Sequence, residues 1–319
     1  MSSDATYVVG IDLGGTKILS LCLDVSLNIV GRDYRETPAE DGPAAVIREM
    51  VESASAAAGD HELRGIGVSA PGPLDINRGV VTEAPNLDGW TDIPLQQLIR
   101  DQSGLPAWIE NDANAGAFAE FKLGAGRGSR HMVMVAVGTG VGGGLILDGR
   151  LYHGASGGAG EVGHMIVDPD GAICGCGRAG CLEAVASGRA LDKTAEALAQ
   201  REPDGLVARL AREEGEEPDA RILDMAAEKG DVAAREAIER AGRFLGAGLT
   251  NLVNVLNPDV IAIGGSVRNS ELYVRTAIEA MQRDAFAQHV GDVRVVEAEL
   301  GDEAPAIGAA LIALENLGG

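Results

Sequence analysis

Three times in this chain an apolar run that reads as a β-strand ends in a glycine turn. The stretches are "GIDLGGTK" at 10–17, "VGTGVGGG" at 137–144 and "IAIGGS" at 261–266. Glycines at the end of a strand let backbone N–H groups approach an anion with no Cβ in the way. Any one of these could be a plain turn, but three in one chain point to an α/β protein whose strand ends face a ligand. Two familiar phosphate loops do not fit "GIDLGGTK". The G-x-x-x-x-G-K-[ST] spacing is absent, and no helix follows the glycines as a dinucleotide fingerprint needs.

The rest of the chain supports this class. "TYVVGIDLGG", "KILSLCLDV" and "LNIVGRDYRE" read as three β-runs, followed by a helix in "GPAAVIREMVESASAAAG" with Pro at its start and Gly at its end. "LRGIGVSAPGP" is a strand running into a loop, and "GLPAWIENDANAGAFAEFKLG" is a short strand feeding a helix. The second half opens on strand, glycine turn, strand and hairpin in "HMVMVAVGTGVGGGLILDGRLYHG", and later alternates helices and strands. Each half thus begins with a hairpin carrying a glycine turn, which makes the halves candidates for distant structural duplicates. "REPDGLVARLAREEGEEPDA" reads as a charged helical excursion on the surface. At 319 residues the chain suits one large or two modest domains. Its aromatic content is only 3%, so the core must rest on Ala, Val, Ile and Leu.

The formal net charge is −22, which argues against nucleic acid as a partner because phosphate binding needs basic charge. Lys17, Lys122, Lys193 and Lys229 are the lysines; the other cations are arginines. So acidic a surface fits either a cytoplasm of high salt, where screening relieves self-repulsion, or ordinary acidic solubility. The N-terminus lacks a basic region followed by a long apolar stretch, so no signal peptide is expected. No apolar run reaches membrane-spanning length, and a cytoplasmic location is expected.

Four residues carry metal chemistry: Cys174, Cys176, Cys181 and His164 make a Cys₃His set suited to tetrahedral Zn²⁺. Cys-x-Cys is not the redox spacing, three cysteines cannot all pair, and a cytosolic chain disfavours disulfides. Four protein ligands leave no position for water, so the expected site is structural; the alternative is free thiols. Cys22, inside a β-run, reads as an inert core residue.

The glycine turns and one strand end suggest the remaining chemistry. Asp12 could hold Mg²⁺ or its water ligands. Gly138, Thr139 and Gly140 could wrap a phosphate, and the turn of Gly264 and Gly265 suits a flat ligand such as adenine or its ribose. In "ENDANA", Asn111 and Asp112 stand where a strand gives way to a helix. Asp112 could take a proton from a substrate hydroxyl. Asn and Asp are also favoured N-caps, and local sequence alone favours the cap.

Together, "GIDLGGTK", "APGP", "NLDGW", "ENDANA", "VGTGVGGG", "GEVGH", "CGCGRAGCLE" and "IGGS" resemble the signatures of the ROK family of sugar kinases and sugar-responsive repressors, over nearly the whole chain. Its glucokinases are the nearest in motif. The resemblance implies an actin-like ATPase (ribonuclease H-like) fold: two α/β lobes with an interlobe cleft and a structural zinc site. The lobes would be 1–112 joined by the C-terminal helix 303–319, and 113–302. It implies an ATP-dependent kinase acting on the 6-hydroxyl of glucose, with Asp112 as base and Mg²⁺ accompanying ATP. Gly72, Asn86, Asn111, Asp112, Glu161, His164 and Glu183 would contact sugar. Asp12, Gly14, Gly15, Thr16, Lys17, Gly138, Thr139, Gly140, Gly264 and Gly265 would serve ATP. One ring nitrogen of His164 would bind zinc and the other face the sugar. The resemblance further implies a homodimer or a dimer of dimers. The alternatives are a kinase for N-acetylmannosamine or another hexose, and a non-catalytic sugar sensor. A repressor is disfavoured because the first phosphate motif begins at Gly10, leaving no room for a helix-turn-helix domain.

Overall fold

The computed structural model describes residues 6–84 and 86–318. The remaining positions, including residues 1–5 with the expected absence of a signal peptide and the extreme ends of the expected N-terminal lobe, lie outside the described residues.

In chain order the elements begin with β1 (Tyr7–Leu13), β2 (Lys17–Asp24), β3 (Ile29–Glu36), α1 (Pro43–Ala58) and β4 (Leu63–Ala70). Three short strands follow, β5 (Leu74–Asp75), β6 (Val80–Glu83) and β7 (Thr91–Ile93), then α2 (Leu95–Ser103), β8 (Ala107–Asn111) and α3 (Asp112–Leu123). Next come β9 (Met132–Val137), β10 (Val141–Leu147), β11 (Arg150–Leu151), α4 (Leu182–Ala186), α5 (Gly188–Arg201) and α6 (Leu206–Glu214). The chain ends with α7 (Ala220–Glu228), α8 (Val232–Leu256), β12 (Val260–Gly264), α9 (Glu271–Asp284), α10 (Ala287–Val290), β13 (Arg294–Glu297) and α11 (Ala304–Leu317).

Helix boundaries follow local chemistry. Ser187, Asp219, Asp231 and Ser270 each accept a backbone N–H in the first turn of the helix they precede. Gly104 ends α2 in the left-handed conformation that a side chain resists. The segment at 200–220 does form a helix, α6, but Val207, Ala208, Leu210 and Ala211 are buried. It is a surface helix with one packed face and one charged face.

The contacts divide the chain into two compact units. The first holds residues 1–128, 144–160 and 299–319; the second holds 129–143 and 161–298. One five-stranded sheet runs β3-β2-β1-β4-β8 and the other β11-β10-β9-β12-β13. Both follow the same order of first to fifth strand, which is the internal duplication that the repeated hairpins suggest. In the first sheet β1 pairs antiparallel with β2 and parallel with β4, and β4 parallel with β8. Residues 8–13 of β1 are all buried, as a central strand covered on both faces requires. On one face Val9, Ile11, Ile66, Val68 and Ile109 join Val46 and Met50 of α1 in an apolar core. Helix α11 lies backbone to backbone on this sheet: a Cβ on Gly10 would fall 1.9 Å from the Ala306 carbonyl, and one on Gly67 1.8 Å from that of Ala309. No helix of the described residues is long and apolar enough to cross a membrane.

Candidate active site

In the first unit the parallel strands β1, β4 and β8 set their carboxyl ends side by side. Asp12 stands opposite Ser69, and Ala70 opposite Asn111. Ligands in open α/β sheets bind beyond such ends. The Ser69 hydroxyl donates to Oδ1 of Asp12 at 3.1 Å. Burial pushes the Asp12 carboxyl up to about 6. The Ser69 bond opposes this, the charges of Asp112 and Asp302 add to it, and Lys17 opposes it. The turn after Asp12 closes with Gly14 N–H donating to the Lys17 carbonyl at 2.8 Å. Gly15 is packed on Asn86, since a Cβ at Gly15 would lie 2.9 Å from the Asn86 Cβ. The turn of Gly14, Gly15, Thr16 and Lys17 and the loop of Asn86 are thus neighbours. Gly72 lies between β4 and β5.

The strand-to-helix turn separates the roles of two adjacent residues. Oδ1 of Asn111 accepts the backbone N–H of Ala113 at 3.0 Å and of Asn114 at 3.2 Å, so Asn111 is the N-cap of α3. Asp112 is the first helical residue and keeps solvent-accessible surface. The protein atoms crowding it nevertheless raise its carboxyl above the ordinary carboxylate range. Hydrogen bonds from Ala113 and Asn111 work against that rise. Oδ1 of Asp112 shares the Ala113 N–H at 2.8 Å, which leaves its other oxygen open; an exposed carboxyl raised in this way suits proton abstraction.

In the second unit three turns converge. Gly138 N–H donates to the Gly140 carbonyl at 2.9 Å, and Gly188 N–H at the start of α5 donates to the Gly138 carbonyl at 2.7 Å. Gly265, at φ +84°, lies so close to Val137 that a Cβ would fall 2.2 Å from its carbonyl oxygen. Thr139 is exposed at the tip. Gly138, Thr139, Gly140, Gly264 and Gly265 are therefore brought together, with the α5 N-terminus beside them.

The cysteine cluster lies in the same unit. The ligand atoms of His164, Cys174, Cys176 and Cys181 all lie within 4.8 Å of one another. The Cys176 and Cys181 sulfurs are 3.6 Å apart, and Sγ of Cys174 is 3.8 Å from Nδ1 of His164. A zinc tetrahedron with Zn–S of about 2.3 Å has S–S edges of about 3.8 Å, so the donor set fits that ion. The backbone N–H of Arg178 helps bring the Cys176 thiol down to about 7, toward the thiolate form that ligates metals. With Nδ1 of His164 turned to the cysteines, its Nε2 lies 3.9 Å from Oε2 of Glu161. Glu183, two residues after Cys181, accepts the Val141 N–H at 3.0 Å. Cys22 is fully buried in β2, and burial pushes its thiol up to about 11, so it is inert.

Two polar residues at this turn escaped the sequence reading: Glu110, buried in β8, and His153, bonded to it. Glu110 left a signal, an acid at the end of the apolar strand "LPAWIE". His153 left none.

Two five-stranded sheets of matching order, with glycine turns at their strand ends, define the actin-like class of sugar-kinase fold. The chain belongs to the ROK family, whose model matches residues 8–316. It is 35% identical over 314 residues to a glucokinase of Streptomyces coelicolor, covering 96% of this chain and 97% of that one. Its fold matches a ROK hexokinase of Thermus thermophilus with TM-score 0.85 and 37% identity, over 98% of this chain and all of that one. It also matches a ROK family glucokinase of Streptomyces griseus, solved in complex with glucose and AMPPNP, with TM-score 0.82 and 33% identity over 97% and 99% of the two chains.

Proposed function

We propose that this protein is an ATP-dependent hexose kinase that transfers the γ-phosphoryl group to the 6-hydroxyl of glucose, with Asp112 as general base. The observation that carries the reading is the division of labour at the β8–α3 turn. Asn111 caps the helix through two amides, while the raised carboxylate of Asp112 accepts the Ala113 N–H and keeps its second oxygen to accept a proton. Likeness to glucokinases over nearly the whole chain supports the sugar.

Asn111, Glu161, His164 and Glu183 would bind sugar hydroxyls, and Gly72 and Asn86 would contribute loop contacts. The turn at Gly14 to Lys17 and the turn at Gly138 to Gly140 would hold phosphates through backbone N–H groups. Gly264 and Gly265 would meet the nucleoside. As the 6-hydroxyl attacks, Asp112 takes its proton. Phosphoryl transfer otherwise needs positioning and charge stabilisation. Mg²⁺, held by Asp12 directly or through water, would neutralise phosphate charge. His164, Cys174, Cys176 and Cys181 would hold one Zn²⁺, which would fix the ring of His164 and leave its other ring N–H as a donor to sugar.

A coupled assay with glucose, mannose, fructose, N-acetylglucosamine and N-acetylmannosamine, each with ATP, tests the reading. Glucose should give the highest kcat/KM. N-Acetylmannosamine exceeding it tenfold would replace the sugar and keep the mechanism. Sugar binding without phosphorylation of any hexose would favour a sensor.

A further inference from the structure

Glu110 is the next-to-last residue of β8, and its side chain is 4% exposed. A carboxylate so placed is tolerated only when its oxygens are satisfied. Its Oε1 accepts the backbone N–H of Asn111 and Nδ2 of Asn114, each at 3.0 Å. Its Oε2 lies 2.7 Å from Nε2 of His153. That bond raises the His153 pKa against the opposing effect of burial. One carboxylate therefore ties together the peptide leading to Asp112, the first turn of α3 and the loop after β11.

The loop is itself organised around His153. The His153 carbonyl accepts the Ala159 N–H at 3.1 Å. Gly157, at φ +89°, packs beside Ile76 just after β5, where a Cβ would meet Ile76 Cδ1 at 3.7 Å. His153 is thus anchored on one side and bonded to Glu110 on the other. Without its N–H, Oε2 of Glu110 would be buried with no donor. The carboxylate would then turn toward another donor, which loosens its hold on the Asn111 N–H.

We propose that Glu110 and His153 form a positioning pair that fixes the β8–α3 turn, and through it the carboxylate of Asp112. The proposal rests on the kinase reading above. Neither residue is placed against substrate; they act through Asn111 and Asp112. A displacement of about 1 Å at a reacting group can cost on the order of a hundredfold in rate, so a small loosening here is enough to register.

The test compares wild type, His153→Ala, His153→Gln and Glu110→Gln in steady-state kinetics, alongside histidine-ring NMR titrations. His153→Ala should lower kcat about tenfold, while the glucose KM changes less than about threefold, because misplacement of the base acts on the transition state. His153→Gln keeps an N–H near the Nε2 position and should restore kcat to within about threefold of wild type. The His153 ring should titrate above its ordinary value of about 6.5 in wild type and fall back toward it in Glu110→Gln. Turnover of His153→Ala above half the wild-type rate, or His153→Gln no better than His153→Ala, overturns the positioning role. A His153 resonance unmoved by Glu110→Gln overturns the pair itself. A wild-type chain that phosphorylates no hexose overturns the kinase reading instead, and the resonance shift still decides whether the pair exists.

Discussion

The carboxylate of Glu183 joins the cysteine cluster to a glycine turn. Its Oε2 accepts the Val141 N–H at 3.0 Å, and its Oε1 lies 3.7 Å from the sulfur of Cys174. Gly140 has to be glycine for this contact, because a Cβ there would come within 2.5 Å of the same oxygen. The segment that follows the last cysteine therefore braces the turn proposed to hold phosphate.

Loss of metal should then affect both substrates. Purified protein is expected to carry one zinc per chain, and Cys176→Ser to lower that occupancy, since removing one of four ligands weakens a closed site. The KM for ATP should rise together with that for glucose. Metal analysis and two-substrate kinetics check this. Active enzyme free of zinc would end the idea. A rise confined to glucose would uncouple Glu183 from the turn.

Asp112→Asn should lower kcat by roughly 10²–10⁴, the usual cost of losing a general base. The melting temperature should not fall and should rise somewhat at pH 7, because the cap oxygen of α3 stays on Asn111 and a carboxylate held above its ordinary range is removed. Asn111→Ala should behave oppositely in stability and lose about 1 kcal/mol with the cap. In wild type the acid limb of kcat/KM should lie above the ordinary carboxylate range, in the direction that crowding by neighbouring protein atoms drives Asp112. Near-full turnover in the Asp112→Asn variant would reduce Asp112 to a helix-terminal acid.

Asp12 gives a prediction of opposite sign for stability. Its folded pKa is about 6 against 3.8 unperturbed, so the folded chain binds this proton more tightly than the unfolded chain. The group costs nothing below about 3.8. Stability declines as pH rises from there to about 6, and the full cost, about 3 kcal/mol, is present above that. Asp12→Asn should therefore be more stable than wild type at pH 7, by up to that amount, and the gain should vanish near pH 4. Asn keeps an acceptor for the Ser69 hydroxyl, so the comparison isolates the charge. Activity should fall in the same variant, as expected where a strained acid serves function. Urea unfolding at the two pH values decides it, and a less stable variant at pH 7 would refute it.

The sequence revealed most where chemistry is local. Glycine turns, Pro43 at the start of α1 and the alternation of elements led to the strands and helices. Ligand spacing led to a cysteine cluster whose members do converge. What escaped depends on pairing between distant segments. Glu110 and His153 are 43 positions apart, and nothing in the neighbourhood of His153 shows that it meets a buried acid. The small sheet of β5, β6 and β7 escaped because its strands are 2 to 4 residues long, too short to show a period. The choice between cap and base at Asn111 and Asp112 could not be made from residue types that serve both; the direction of one amide oxygen settles who caps.

The chain carries 48 acidic and 26 basic residues, a surplus of 22 negative charges. Salt acts on two opposing sets of interactions. It screens attractive pairs such as Arg32 with Glu303 and Arg283 with Asp284. These pairs are exposed, and such pairs contribute little, about 0–1 kcal/mol each. It also screens repulsion among the unpaired acids, which grows with net charge and opposes the compact state. With so large a surplus the second effect should dominate. The melting temperature is expected to rise between about 0.05 and 1 M KCl and to level off near 1 M, where the Debye length is about 3 Å. Sugar-kinase activity should persist over the same range, because the proposed sugar contacts are hydrogen bonds rather than long-range charge interactions. A melting temperature that stays flat across the series would mean that the surplus acids are too dispersed to repel one another, and would favour simple acidic solubility over adaptation to a saline cytoplasm.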